Sequence, residues 1–547
     1  MHASFRLALT LALMATTGAQ AAPPPQDHAV VDPARFRAEV VERSLSELAA
    51  DLQSGKLTSA AIVDAYLARI DAIDRSGPRL QSIITLNPHA REEARHADSE
   101  RKQGKLRSPL HGVPIVIKDN IETRELPTTA GSLALKDNRT GRDSPSVARL
   151  RAAGAIILGK ANLSEWAQFR GFRSLAGWSA IGGLTRNPYS LDRNSGGSSS
   201  GSAVAVAASL APVALGTETN SSVIGPAAFN GIVGYKPTLG LIPRTHVVPL
   251  SPVQDTVGTL TRSVADAALL LSIMAGSDAD DAATVEATAR REDYAARIRT
   301  VDLKGVRLGV VRPDGPGTPD DPRQALLERA LEKLRAAGAE IVEVTGYDEA
   351  PLRAMQLDIF VTDFRASIDK YLATTPRQVR VRSLEQLVAF NKATPRETVL
   401  FGQELFVRAL TAPSTTDPAW RALVAKAQRM AGLQGIDRLC AEYKVTALIG
   451  ITTDVAPLVD LVGSGPRMTS ITTMAAIAGY PHLTVPMGQV EGLPLGISLI
   501  GPAWSDGDLL ATGAALEKLL PRRSPPTYVR SVNEMPRFAT ALRSLDP

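Results

Sequence analysis

Residues 194–238 read NSGGSSSGSAVAVAASLAPVALGTETNSSVIGPAAFNGIVGYKPT, two clusters of serine and glycine around a run of small apolar residues. A run of that kind is buried, and the polar clusters flanking it bring backbone N–H groups and hydroxyls toward one point. Around it the chain alternates helix and strand signals. Residues 143–153 carry a Ser-Pro start and an amphipathic pattern, stop at Gly154 and feed the apolar 155–158, a helix–cap–strand unit. The hexamer LRAAGA recurs at 334–339, ahead of the strand-like 340–344. A six-residue match at such a junction is two uses of one local solution, so it predicts alternating α/β architecture rather than a duplication.

The 547 residues are 44% hydrophobic and include 42 Gly and 37 Pro, which describes a loop-rich globular chain able to bury a large core. One interlocked domain is expected over 40–530. Helical patterns at 45–52 and 60–74, the second opening after Thr58 and Ser59 as N-cap candidates, precede GVPIVIK at 112–118, a short buried strand ending in a cation. Strand character resumes at 483–487 and 492–501. Residues 278–296 are charged and alanine-rich, and 300–467 match no catalytic pattern. The latter are expected to cover the site and set specificity, with 531–547 as a tail.

Residues 1–21 read as a secretory leader: Arg6, the apolar 7–14, then Ala19, Gln20 and Ala21 as the cleavage site. The apolar part is too short to span a bilayer, so no stable membrane insertion is expected after cleavage following Ala21. Residues 22–39 form a Pro-rich tether, and the protein is expected to be exported, periplasmic or secreted. The 61 basic and 56 acidic residues interleave without a long basic run and aromatics are few, which argues against a nucleic-acid partner. Cys440 is the only cysteine, so there is no internal disulfide. It lies in the helical-looking 436–443 and is expected to fill core.

Amide hydrolysis needs a nucleophile, a proton path to the leaving amine and donors for the oxyanion. Ser222 follows the turn 216–221 after the apolar strand 212–215, and Ser198 stands 24 positions earlier, in the glycine-rich turn 196–201. Backbone N–H groups of Thr219, Asn220, Ser221 and Ser222 are the candidate oxyanion pocket. Lys118 serves as a base only if desolvation lowers its pKa, and Val113, Ile115, Val116 and Ile117 supply apolar surroundings. In isolation each signal is modest, since a serine in a glycine-rich turn is usually a loop residue and a strand-end lysine usually a surface cation.

HGVPIVIKDNI at 111–121, GGSSSGS at 196–202 and GTETNSSVIGPAAFNGIVGYKPT at 216–238 resemble the amidase signature family. PTTAGS at 127–132, GKANLSEWA at 159–167, DTVGTLTRSVADAA at 255–268 and YPHLTVPMG at 480–488 extend the resemblance over nearly the whole mature chain. It implies a single large α/β domain with a mixed central β-sheet covered by helices on both faces. It also implies a Ser–Ser–Lys triad with Ser222 as nucleophile, Ser198 as relay and Lys118 as base, a cis peptide bond between Gly197 and Ser198, and no metal or organic cofactor. The substrate is then a small-molecule or peptide amide. The GSSSGS and GTET motifs and the apolar residue at 224 favour the bacterial peptide amidases, which deamidate C-terminal peptide amides. Aryl-acylamide and aliphatic amide hydrolysis are the alternatives within the family.

The chain departs from the family where glycine usually precedes the nucleophile, since Asn220 and Ser221 stand there, and Ile224 replaces a common arginine. A serine at positive φ is costly, so position 221 bears most on activity. A non-catalytic amide-binding protein of the same fold would account for it. The tRNA-linked amidotransferase is a further reading, opposed by the leader. GSSSG at 197–201 also matches a nucleophile elbow, with Ser199 served by His246 or His482, but the preceding 187–194 is a polar loop where an elbow needs a strand. GAIILGKA at 154–161 lacks the Ser/Thr of a phosphate-binding loop.

Overall fold

The computed structural model describes residues 39–536 and 538, apart from 301, 314, 316, 317, 319 and 463–468. The expected leader at 1–21 and the tether up to 38 lie outside the described residues, as do 539–547 of the tail.

Strands β1 (Ile83–Leu86), β2 (Pro114–Lys118) and β3 (Ile156–Ala161) open the fold, followed by a small ribbon, β4 (Trp178–Ser179) with β5 (Gly183–Leu184). Then come β6 (Val213–Glu218), β7 (Val233–Lys236), β8 (Thr256–Thr261), β9 (Arg307–Val311) and β10 (Glu340–Val344). Last are β11 (Ala447–Ile451), β12 (His482–Val490) and β13 (Leu493–Ile500). Apart from the ribbon they form one sheet in the order β1-β3-β2-β6-β8-β7-β12-β13-β11-β9-β10. β3, β2 and β6 run parallel, as do β11, β9 and β10, while the other neighbours are antiparallel. The sheet is mixed, as expected.

Every residue of β2, β3, β6, β8 and β13 is buried, which is why β2, β3 and β13 read as near-continuous apolar runs rather than alternations. Helices cover both faces. Consecutive side chains of β12 point to opposite sides: Leu483 meets the helix Asp506–Leu519 at Gly513, where a Cβ would lie 2.1 Å from Leu483 Cδ2. Thr484 shares the other side with Ala227 of the helix Ile224–Phe229, both packing around Gly234.

The local signals placed most elements correctly. Ser144 caps the helix Pro145–Ala152 by accepting from Val147 N at 3.3 Å, with Pro145 in the first turn. The expected 60–74 helix is an α-helix, Ser59–Arg69, that widens into a π-helical turn over Ile70–Arg75. Cys440 lies in the short helix Arg438–Tyr443, within an apolar cluster, and burial pushes its thiol up to about 12. Such a thiol is inert filler.

The region 300–467, expected to act as a cover, does more than that: β9, β10 and β11 lie inside it and complete one edge of the sheet. The helix Ala350–Ala373 from the same region leaves the sheet and packs Phe364 against Phe169 and Phe406, forming a second apolar cluster beside the first.

Candidate active site

β2 and β6 are parallel neighbours with Ile117 opposite Leu215, so their carboxyl ends finish side by side. That end of a parallel pair is where an α/β sheet offers side chains to a ligand. Lys118 Nζ lies there 2.8 Å from Ser198 Oγ, 2.8 Å from Thr217 Oγ1 and 3.2 Å from the Thr217 carbonyl. Asn120 Nδ2 donates to the same Thr217 hydroxyl at 2.9 Å. Lys118 is wholly buried, and desolvation lowers its pKa to about 7, with Asp255 and Glu218 opposing the shift. The amine therefore exchanges its proton near neutrality.

The helix Ser200–Ala207 holds the first serine turn in place. Its residues, SGSAVAVA, are all buried and small enough to lie against β2, β3, β6 and β8. The peptide bond between Gly197 and Ser198 is cis, and the Ser198 carbonyl accepts from Ser164 N at 3.0 Å. Ser199 N donates to the Ser222 carbonyl at 3.1 Å, which ties this turn to the second one.

The second turn is braced from three sides. The Glu218 carboxylate accepts from Val223 N at 2.7 Å and Ile224 N at 2.9 Å. Thr219 Oγ1 donates to Asp255 at 2.6 Å, whose other oxygen accepts from Leu250 N and Ser251 N. Asn220 Nδ2 donates to Gln356 Oε1 at 2.8 Å and Thr473 Oγ1 at 3.3 Å. Burial raises the pKa of both Glu218 and Asp255. Ser221 takes φ +64°, the conformation for which glycine is the usual residue. Its hydroxyl has room because position 225 is glycine, where a Cβ would lie 2.7 Å from Ser221 Oγ. The four residues whose N–H groups are expected to face an oxyanion, Thr219, Asn220, Ser221 and Ser222, all line one cavity.

A cavity of about 520 Å³ opens over this turn and is lined by Ser222, Ser221, Gly197, Phe169, Phe360 and Leu250, among others. Gln356 and Phe360 come from the helix Ala350–Ala373, so the 300–467 region does reach the site. The loop 167–176 forms another wall, and neither it nor Gln356 carries a sequence signal that marks it for this role. Arg170 anchors the loop from beneath. Wholly buried, its guanidinium donates to Glu165 and, at 3.1 Å, to Glu397, and it lies 4.1 Å from the centre of the Phe401 ring. Burial and the adjacent Glu397 push the Glu165 carboxyl well up. Arg170→Met leaves two buried acids without their cation and is expected to cost about 3–5 kcal/mol of stability, read from urea unfolding. A loss under about 1 kcal/mol would mean that the acids are satisfied without it.

The elbow reading does not hold. Ser199 Oγ donates to the Thr217 carbonyl at 3.1 Å, and neither histidine contacts it. His482 is buried against Ser498 at 2.6 Å, its pKa lowered by burial to about 3, and His246 stands 4.0 Å from Glu122. Among the described residues, no group of three or more His, Cys, Asp or Glu side chains is placed to hold a metal ion.

The family model for amidases matches residues 61–510. A probable amidase of Arabidopsis thaliana is 36% identical over 510 residues, covering 90% of this chain and 92% of that protein. A putative amidase of Schizosaccharomyces pombe is 34% identical over 521 residues, covering 90% of this chain and 87% of that protein. Among solved structures, the peptide amidase of Stenotrophomonas maltophilia is similar with a TM-score of 0.85 at 45% identity, over 89% of this chain and 98% of that chain. Agreement on this scale runs through both serine turns, the buried lysine strand and the sheet that carries them: the chain belongs to the amidase family and is an amide-hydrolysing enzyme.

Proposed function

We propose that the enzyme removes ammonia from C-terminal peptide amides through a serine acyl-enzyme, with Ser222 as nucleophile, Ser198 as relay and Lys118 as base. The observation that carries this reading is the layering of the three groups. Ser222 lines the cavity, whereas Ser198 and Lys118 are wholly buried, 2.8 Å apart. A nucleophile has to reach substrate, and a neutral lysine has to be kept from water.

In the proposed sequence Ser222 Oγ attacks the amide carbon, its proton passing to Ser198 Oγ while the Ser198 proton passes to neutral Lys118. The N–H groups of Thr219, Asn220, Ser221 and Ser222 receive the oxyanion. Collapse of the intermediate breaks the C–N bond, and the proton returns from Lys118 through Ser198 to the nitrogen, which leaves as ammonia. Water then repeats the path on the ester and releases the acid.

The peptide-amide substrate is supported by the 45% identity to the Stenotrophomonas maltophilia peptide amidase across nearly the whole of that chain. Aromatic walls from Phe169, Phe360 and Phe229 fit an uncharged peptide end. The test is a panel: ammonia released from a blocked dipeptide amide and from a short aliphatic amide, and arylamine released from an anilide. The dipeptide amide is expected to give the highest kcat/KM, by at least about tenfold. Preference for the anilide or the aliphatic amide would move the enzyme to another substrate class of the family.

A further inference from the structure

Among the described residues, four of the nine exposed large apolar side chains gather at the mouth of the active-site cavity: Phe172 is 64% exposed, Leu458 48%, Leu461 58% and Val462 86%. Single exposed apolar residues need no explanation, whereas a cluster at the rim of a cleft marks a surface that something covers. Phe172 and Leu458 also line the cavity into which Ser222 opens, so the rim continues the site.

Both sides of the rim are held in place. On one side Asn194 N donates to the Pro457 carbonyl at 2.8 Å, Val459 N to the Asp192 carbonyl at 2.9 Å and Arg193 Nη1 to the Ala456 carbonyl at 3.1 Å. Residues 456–459 are thereby laid along residues 192–194 of the loop that leads into the Ser198 turn, with Arg193 bridged to Leu458. On the other, the Ser174 hydroxyl closes the turn around Phe172, accepting from Gly171 N at 2.9 Å and donating to the Gly171 carbonyl at 2.8 Å. Arg173 Nη1 spans the two sides by donating to the Val462 carbonyl at 2.9 Å. A surface braced in this way is ready before anything docks.

We propose that Phe172 and Leu458–Val462 form an outer subsite for apolar side chains of the substrate, upstream of the amide that Ser222 attacks. The inference rests on the peptide-amide reading and extends it. With the terminal amide at Ser222, the rest of an extended peptide leaves through the mouth, and a residue upstream of the first reaches the rim after about 3.3–3.6 Å of chain per residue. The occupant is then the peptide itself, and the preferred substrates are peptide amides with bulky apolar residues two or three places before the terminus.

The experiment compares kcat/KM for two blocked tripeptide amides that share the same terminal residue. One carries leucine or phenylalanine at its two outer positions, the other serine. The full chain is measured beside Phe172→Ser, Leu458→Ser and the double variant. The unaltered enzyme is expected to favour the apolar peptide by about tenfold or more, mostly through KM, and the double variant to bring the ratio close to one. These side chains are exposed, so their replacement leaves the core as it is. Turnover of both peptides with an unchanged ratio in the double variant, or with no preference in the unaltered enzyme, would overturn the subsite and leave the peptide-amide reading standing. Turnover of an anilide with neither peptide hydrolysed would overturn both.

Discussion

Ser222→Ala is expected to lower kcat/KM on every amide by about 10,000-fold or more, because in the proposed mechanism no acyl-enzyme forms without its hydroxyl. The loss should fall on kcat, with substrate affinity nearly unchanged, since the hydroxyl adds little to a cavity lined by some two dozen residues. A fluorophosphonate should label the unaltered enzyme at Ser222 and leave the variant unlabelled. Ser221→Ala separates the two neighbouring serines. Ser221 holds φ +64° with its hydroxyl toward Gly225, so that variant should retain label and turnover. Labelling that persists in Ser222→Ala and vanishes in Ser221→Ala would reverse the assignment. The Ser222→Ala variant should also unfold at nearly the same urea concentration as the unaltered chain, which separates lost chemistry from lost structure.

Activity should rise with pH along a limb centred near 7 and fall about tenfold per unit below it, because in the proposed mechanism only neutral Lys118 accepts the proton relayed by Ser198. The sign follows from burial. Desolvation disfavours the ammonium, so the folded-state pKa lies at about 7, below the ordinary value of 10.5. The unfolded chain holds that proton more tightly than the folded one, so this group opposes folding below about pH 7. The opposition lifts as pH rises from there toward 10.5. Lys118→Ala is expected to cost about 100- to 10,000-fold in kcat and to remove the limb from what remains. Asp363 is also pushed up by burial, to about 7, where it accepts from Ser251 Oγ at 2.5 Å. A limb that survives at the same pH in Lys118→Ala would transfer the titration to Asp363 or another acid.

Much of the fold was legible because helix and strand signals here are local. Ser144-Pro145 and Thr58 start helices through hydrogen bonds made within one turn, and the apolar runs of β2 and β13 read as buried strands from composition alone. The candidate catalytic residues were legible for a related reason: Lys118, Ser198 and Ser222 lie inside motifs whose backbone form is set by nearby glycines and by strand ends. In the region 300–467 the strand-like 340–344 is β10, but how the region joins the sheet was not legible. Among the described residues its strands β9, β10 and β11 pair with one another and with β13, contacts that no short window of sequence contains.

The Asn220-Ser221 pair marks the boundary most clearly. From sequence it is a departure from glycine at a position needing positive φ, and Ser221 does adopt that conformation. Its tolerance rests on partners both near and far along the chain: Glu218 accepts from the N–H groups of Val223 and Ile224 just after it, Gly225 leaves space for the serine, and Gln356 and Thr473 hold Asn220. The cavity walls are of the same kind, since Arg170 can anchor the 167–176 loop only once Glu397 has been brought beneath it. Sequence alone settled the chemistry on offer, a strand-end lysine and two serine turns, because residue type and short spacing define it. Which serine meets the cavity, what lowers the lysine's pKa and what surrounds the substrate were decided by the tertiary structure, because burial and long-range hydrogen bonds exist only after distant segments have packed.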